Sequence, residues 1–158
     1  MRRLILMLAI LVSSFAVCGA RESIRNIEID LILRKDGSAE ITEKWDVSIY
    51  GSITEWYLVR NNLGDIDVKD LAVTDENGVP FSNIGEWDID RSISQKAGKG
   101  GYVHKRNGVE LCWGIGSYGD HVFTVSYTMT NAVKTLNDYD ILHMQLVSPG
   151  LSASPSHV

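Results

Sequence analysis

Histidine side chains are the first candidates for catalytic or metal-binding chemistry in this chain of 158 residues. The four histidines are widely separated and lack the H-x-H or H-E-x-x-H spacing that brings two imidazoles to one metal ion: His104, His121, His143 and His157. An enzyme would need two of them, such as His121 and His143, to meet in the fold. We favour ordinary surface histidines over this enzyme hypothesis.

Cys112 is the other side chain with reactive chemistry. It lies in the strand-like run of residues 111–115, which favours a small buried hydrophobe over a reactive thiol. The sequence also has no G-x-S-x-G motif that would indicate a hydrolase nucleophile. We therefore expect no catalytic residues and no cofactor.

Clustered carboxylates suggest calcium as an alternative ligand. Asp65 and Asp67 lie close together, with Asp70 nearby, and residues 137–140 form a second acidic group. Calcium sites use such oxygen ligands. However, the alternation of Asp65 and Asp67 with apolar residues is typical of the exposed face of a strand, which is the interpretation that we favour.

The tryptophans raise the possibility of a carbohydrate site, because sugar C–H groups stack on exposed aromatic faces. Trp45 and Trp113 occupy inward positions of alternating segments and are assigned to the core. Trp56 and Trp87 lie beside loops and are the better candidates for a sugar platform. Packing in the core or at its rim is the competing interpretation.

The N-terminus has the three parts of a secretory signal peptide in residues 1–20. Arg2 and Arg3 precede an apolar stretch over residues 4–17, and small residues then permit cleavage after Ala20. The alternatives are a retained membrane anchor and a lipoprotein modified at Cys18, although bulky Val17 disfavours lipidation. The prediction is an exported domain of residues 21–158, located in the periplasm or outside the cell.

Charge and hydropathy exclude some partners of that domain. The formal net charge of −5 becomes −7 on removal of residues 1–20, since this segment holds two arginines and no acidic residue. An acidic domain without a basic stripe argues against nucleic acid and anionic membrane surfaces. After residue 20 no apolar run is long enough for a transmembrane helix.

Apolar and polar residues alternate with a period of two, which predicts the strands on which any functional site would lie. Residues 24–33 and 39–49 predict a hairpin around the turn at residues 35–38, with Glu43 at an inward position of the second strand. Further strands are expected over residues 66–73, 109–115, 121–130 and 141–147. Residues 96–101 are expected to form a mobile loop, and residues 131–140 a loop or short helix.

Short strands separated by regular turn signals predict an all-β fold, an antiparallel β-sandwich of immunoglobulin-like type rather than a closed barrel. Only Cys112 remains after cleavage, so no internal disulfide is expected. His157 and Val158 look like the opening of another strand. We therefore expect a domain that lacks its last strand or strands and is marginally stable, or self-associates through an open sheet edge.

Two motifs that follow one another along the chain are similar to motifs of a known family. Residues 35–45 (KDGSAEITEKW) resemble the opening hairpin of the bacterial predicted membrane proteins with domain of unknown function 2207. Residues 111–116 (LCWGIG) and 123–127 (FTVSY) resemble its second signature. The likeness covers about residues 24–158. It implies a signal peptide and an extracytoplasmic β-sandwich followed by membrane-spanning helices, and it supplies no catalytic residues.

The function expected from the sequence is non-enzymatic binding or structural positioning at the cell envelope, with a protein or glycan as partner. The alternative is a carbohydrate- or calcium-dependent module that uses Trp56, Trp87, Asp65 and Asp67. A third possibility is an enzyme built around His121 and His143. Membrane association is expected for full-length relatives of the resembled family.

Overall fold

A computed structural model describes residues 22–158. The predicted signal peptide, its cleavage site after Ala20 and the lipidation candidate Cys18 lie outside the described residues. Within them the chain forms strands and one short helix: β1 Ser23–Leu33, β2 Ala39–Ile49, β3 Glu55–Asn61, β4 Val68–Thr74, β5 Ser82–Glu86, α1 Ile93–Lys96, β6 Lys99–Lys105, β7 Gly108–Gly114, β8 Gly119–Met129, β9 Val133–Thr135, β10 Asp140–Leu142 and β11 Pro155–His157.

Two sheets pack face to face. The first has the order β11-β1-β2-β8-β4 and the second the order β3-β7-β6-β5, while β9 and β10 form a separate two-stranded sheet. The predicted all-β sandwich is confirmed. Two pairings are parallel, β1 with β11 and β5 with β6. The chain order also differs from that of an immunoglobulin domain. There, strands F and G of the second sheet follow strand E of the first sheet. Here β5, β6 and β7 of the second sheet all precede β8 of the first.

The predicted β1–β2 hairpin is present. Asp36 Oδ1 accepts hydrogen bonds from the Ser38 amide at 3.0 Å and the Ser38 hydroxyl at 2.7 Å, and Gly37 takes a φ of +79°. The left-handed conformation costs glycine little because it has no Cβ. This turn sets the register of β2 against β1. On its other side β2 pairs with β8 over its whole length, from Ala39 opposite Met129 to Ile49 opposite Gly119.

Alternate side chains of β2 and β8 meet those of β3 and β7 to form the core. Trp113 packs edge-to-face on Phe123 with ring centroids 5.7 Å apart, and Trp45 lies 6.3 Å from Trp56. Each contact joins one sheet to the other, and all four rings are buried. Because a fully buried large apolar side chain contributes about 1.5–3 kcal/mol, these rings are a main source of stability. The inward positions predicted for Trp45 and Trp113 are confirmed.

The prediction of a mobile loop over residues 96–101 is wrong. Lys96 ends α1 and is buried, and residues from Lys99 onward form β6. The glycines serve close packing instead of flexibility: a Cβ at Gly101 would overlap the carbonyl oxygen of Gly85 on the neighbouring strand. The helix lies in the crossover that joins the parallel strands β5 and β6, a connection that needs about a dozen residues.

The other differences from the prediction concern which residues form strands. The strands β3 and β5 were not predicted, and residues 133–142 form the β9–β10 hairpin instead of a loop or helix. The strand expected over residues 141–147 ends at Leu142, and the following apolar side chains pack on the core as an irregular segment. The strand expected at His157 is present as β11, which pairs with β1.

Substitution of Gly114 by alanine should destabilise the protein. A Cβ there would overlap the carbonyl of Lys96, and overpacking typically costs about 1–3 kcal/mol. The melting temperature should fall by roughly 2–8 °C for each kcal/mol. Gly150→Ala is the matched control, because its nearest neighbour would be Ser148 Oγ at 3.9 Å. Equal melting temperatures for the two variants would contradict the close approach of α1 to β7.

Candidate functional site

The structure buries both tryptophans of the predicted sugar platform. Trp56 is 6% exposed and Trp87 is 7% exposed. The alternation of β3 turns the Trp56 indole toward Trp45, and the Trp87 amide donates to the Tyr102 carbonyl at 2.8 Å, which holds it beside β6. The expected exposed platform is therefore not formed, and packing on the core is the role that the fold assigns to these side chains.

The acidic pair of the predicted calcium site lies in the loop before β4, not on a strand face. Asp65 and Asp67 are exposed, and Lys134 Nζ donates to Asp65 Oδ1 at 2.5 Å. This hydrogen bond holds the pKa of Asp65 below its ordinary value. Nowhere in residues 22–158 do three or more histidine, cysteine, aspartate or glutamate side chains form a group that could hold a metal ion.

The two histidines of the enzyme hypothesis do not meet. His121 stacks on Phe123 near the start of β8, and its Nε2 lies 2.9 Å from the Ser117 carbonyl oxygen. His143 lines a cleft that also includes Met129, the last residue of β8. Eight strand residues separate His121 from Met129, which corresponds to roughly 26 Å. The pairing that an enzyme at these residues requires is absent from the fold.

Cys112 is buried on β7, as predicted. Its side chain is shielded from solvent, and its Sγ lies 3.8 Å from the Glu110 carbonyl oxygen. Burial, with the carboxylates of Glu110 and Glu55 nearby, raises the pKa of the thiol to about 12. Because the thiolate is the nucleophile, a thiol that stays protonated in the folded protein is unreactive near neutral pH.

The thiol of Cys112 should therefore label only when the protein opens. At pH 8 the native protein should react with a maleimide or disulfide reagent far more slowly than the protein in denaturant, measured by mass spectrometry. Above about pH 9 the unfolded thiol ionises while the folded one does not, so stability should decline with rising pH. Labelling at the rate of a free thiol under native conditions would contradict this burial.

A charged cluster lies buried between the sheets. Of its members, the sequence predicts inward positions for Glu43 and Trp45 on β2, but it does not predict that Arg60 and Tyr127 meet them. Arg60 on β3 forms an ion pair with Glu43 on β2, at 4% and 0% side-chain exposure. Tyr127 on β8 donates to Glu43 Oε1 at 2.5 Å and accepts from Arg60 Nε at 2.8 Å. Trp45 Nε1 donates to Glu43 Oε2 at 3.0 Å. We call these four side chains the inter-sheet cluster.

The inter-sheet cluster satisfies its own charges. Both oxygens of Glu43 accept hydrogen bonds, and Arg60 also donates to the Val59 carbonyl at 3.1 Å. Burial would lower the pKa of Arg60, but Glu43 and Tyr127 outweigh it and the pKa is raised. Burial raises the pKa of Tyr127 far above its ordinary value. Arg60 therefore stays charged and Tyr127 stays protonated near pH 7, and both connect β3 and β8 to Glu43 on β2.

Glu43→Gln should destabilise the protein strongly, because it leaves the Arg60 guanidinium buried without a counter-charge. Removal of one partner of a buried ion pair costs about 3–5 kcal/mol. The double variant Glu43→Gln, Arg60→Met should regain part of this loss, since the unpaired charge is gone. Urea unfolding of both variants and the parent tests the coupling. Additive losses in the double variant would show that the pair is not coupled.

Arg60 also borders a groove along one edge of the sandwich. The groove lies between β3 and residues 146–152, and we call it the β3 groove. Its walls are mainly apolar, with two carboxylates and the Arg60 guanidinium at its margins: Trp45, Ile53, Trp56, Leu58, Leu146, Leu151, Glu22, Glu55 and Arg60. A larger cleft of about 810 Å³, lined by Asn61, Met129 and His143, continues it, with Val59, Arg60, Ser148 and Gly150 shared between the two.

The far end of the β3 groove is anchored by a second ion pair. The ammonium of Lys96 at the end of α1 contacts the Glu55 carboxylate and donates to Thr54 Oγ1 at 2.8 Å and the Ile89 carbonyl at 2.6 Å. It also lies 6.0 Å from the centroid of the Trp87 ring, a cation–π contact. Ion pairs at Glu55 and at Arg60 therefore hold both ends of β3, which forms one wall of the groove.

The size of the cavity in the β3 groove limits what it can accept. Its volume is about 160 Å³. Pockets for small molecules are typically about 300–1,000 Å³, whereas an engineered apolar cavity of about 150 Å³ accepts one benzene molecule. The cavity is therefore matched to a single apolar side chain or ring.

Comparison with known families identifies one match. The family model described as the N-terminal domain of a predicted membrane protein, DUF2207, matches residues 23–155. A search of curated proteins gives no significant match. Across residues 22–158, no helix has the length and apolar character that crossing a membrane requires.

Proposed function

The chain belongs to the DUF2207 family of predicted membrane proteins, as its N-terminal domain, and on this premise we propose that it is an exported, non-enzymatic domain that binds a polypeptide partner at the cell envelope in the β3 groove. The β3 groove carries the proposal, because its cavity of about 160 Å³ suits one apolar side chain. The extracytoplasmic location is supported by the signal-like residues 1–20.

A polypeptide suits this groove better than a glycan does. Sugar-binding sites present aromatic faces to solvent, but here the Trp56 indole is buried against the core. Tyr57 on the same strand is 52% exposed, and it lies on the outer face of β3 where it can cover part of a bound chain. Apolar anchors in small pockets, surrounded by polar groups, are the usual source of affinity in protein interfaces.

Peptide binding by the purified protein tests this function. A positional-scanning library of acetylated, amidated heptapeptides should select a large aliphatic or aromatic residue at one position, with dissociation constants in the micromolar range. Ile53→Trp, which fills the cavity from its wall, should weaken binding at least about tenfold, or 1.4 kcal/mol. Val103→Trp is the matched control, because Val103 is half-buried on β6 and lines neither the groove nor the neighbouring pocket that includes Leu146.

The same experiment tests the absence of catalysis. Mass spectrometry of the bound peptides after long incubation should find them unchanged, and a broad panel of hydrolase substrates should show no turnover. Turnover that a point substitution abolishes would contradict the non-enzymatic assignment. Failure of every heptapeptide to bind, or equal binding by Ile53→Trp and the parent, would contradict the β3 groove as the site.

A further inference from the structure

The edges of the two sheets differ in how well they could accept another strand. The edge strand β11 has three residues. Register shifts interrupt β4 between Lys69 and Ala72, and β5 between Asn83 and Glu86. By contrast, β3 pairs with β7 over seven consecutive residues with no shift. Bulges and short edge strands protect sheets from unwanted pairing, so among the described residues β3 is the edge left regular.

The outward main-chain groups of β3 can be assigned from its register. Asn62 donates to the Asn107 carbonyl at 2.9 Å, and Ile115 donates to the Thr54 carbonyl at 3.4 Å. Antiparallel pairs alternate between bonded and non-bonded residues, so the even-numbered residues bond to β7. The N–H and C=O groups of Glu55, Tyr57 and Val59 therefore point away from the sheet. The Val59 carbonyl already accepts a hydrogen bond from the Arg60 side chain at 3.1 Å, so the N–H of Val59 is the group that this residue offers to an added strand.

The residues that carry these outward groups, Glu55, Tyr57 and Val59, also line the groove that holds the apolar cavity. The side chains of Trp56 and Leu58 point inward from the same strand and form one wall, while Leu146 forms part of the other. In a strand added next to β3, alternate side chains would point to the same inward face. One of them would enter the cavity between Leu58 and Leu146, so main-chain pairing and side-chain insertion are compatible in a single geometry.

We propose that the β3 edge binds an extended segment of its protein partner by strand addition, with hydrogen bonds to the main chains of Glu55, Tyr57 and Val59 and one large apolar side chain inserted in the cavity. This proposal rests on the polypeptide-binding function given above and defines its mode. In strand addition the main chain supplies affinity and the side-chain pocket supplies specificity. The seven residues of β3 can pair with about seven residues of the partner.

Charge at the groove adds a preference for a basic neighbour of the apolar residue. Glu22 lines the groove and has no ion-pair partner within residues 22–158, whereas Arg60 and Glu55 are neutralised by Glu43 and Lys96. Among residues 22–158, the groove therefore keeps one carboxylate without a counter-charge. A lysine or arginine in the bound segment near Glu22 would complement it, and the domain as a whole is acidic.

The test is an N-methyl scan of the tightest heptapeptide from the library, with the protein unchanged. Methylation of an amide removes one donor, so a paired strand should lose roughly threefold to tenfold in affinity at alternate positions and little at the positions between them. Glu22→Gln should reduce the preference for a basic residue in the peptide. A peptide that Ile53→Trp weakens but that tolerates methylation at every position would overturn strand addition and leave the proposed function standing.

A variant of the protein tests the same hydrogen bonds, because it removes a donor from β3 instead of from the peptide. Val59→Pro removes an outward N–H and leaves the bonds between β3 and β7 in place, because proline is tolerated at such positions of edge strands. It should bind the peptide about threefold to tenfold more weakly than the parent does, and a cooperative unfolding transition in urea shows that the variant is folded. If Val59→Pro fails to fold, the N-methyl scan alone decides. Absence of binding by every peptide would overturn both proposals.

Discussion

The buried ion pair between Glu43 and Arg60 is the interaction on which the arrangement of the two sheets depends. It joins β2 in the centre of one sheet to β3 at the edge of the other, and Tyr127 and Trp45 complete its hydrogen bonds. Apolar contacts alone tolerate small shifts of one sheet over the other. Charges buried in a low-dielectric core do not, since a displaced pair would leave an unsatisfied charge.

This constraint extends to the groove at the sandwich edge. Because Arg60 is held from within and Glu55 is held by Lys96, β3 remains straight and regular although it has a strand on one side only among the described residues. The same fixation places the Trp56 and Leu58 side chains as a rigid wall. A preformed edge and cavity reduce the entropy lost when a partner chain binds, so the stabilising cluster and the candidate site are physically linked.

How much the sequence predicts varies with the range of the interactions involved. The β1–β2 hairpin was predicted closely, because period-two alternation and the Asp36–Ser38 turn are local signals. The stretch around Lys96 was predicted wrongly, because glycine and lysine next to each other are typical of mobile loops. There the Lys96 ammonium contacts Glu55 on β3, Thr54 just before it and the Ile89 carbonyl in the loop after β5, and Gly101 allows two backbones to approach. Neither contact can be recognised from the residues that neighbour Lys96 or Gly101 in the sequence.

The sequence by itself determined the all-β class, the central hairpin and the inward placement of Trp45 and Trp113, since each follows from alternation along a strand. The burial of Cys112 was predicted from its apolar neighbours, because alternation turns this side chain to the face of β7 opposite to Trp113. Only the tertiary structure decided that Glu43 meets Arg60, that Trp56 and Trp87 are buried, and that β3 lies at an edge above a cavity. These features join residues far apart in the chain, and strand order places them together. Alternation reveals which way a side chain points, but not which residue it meets.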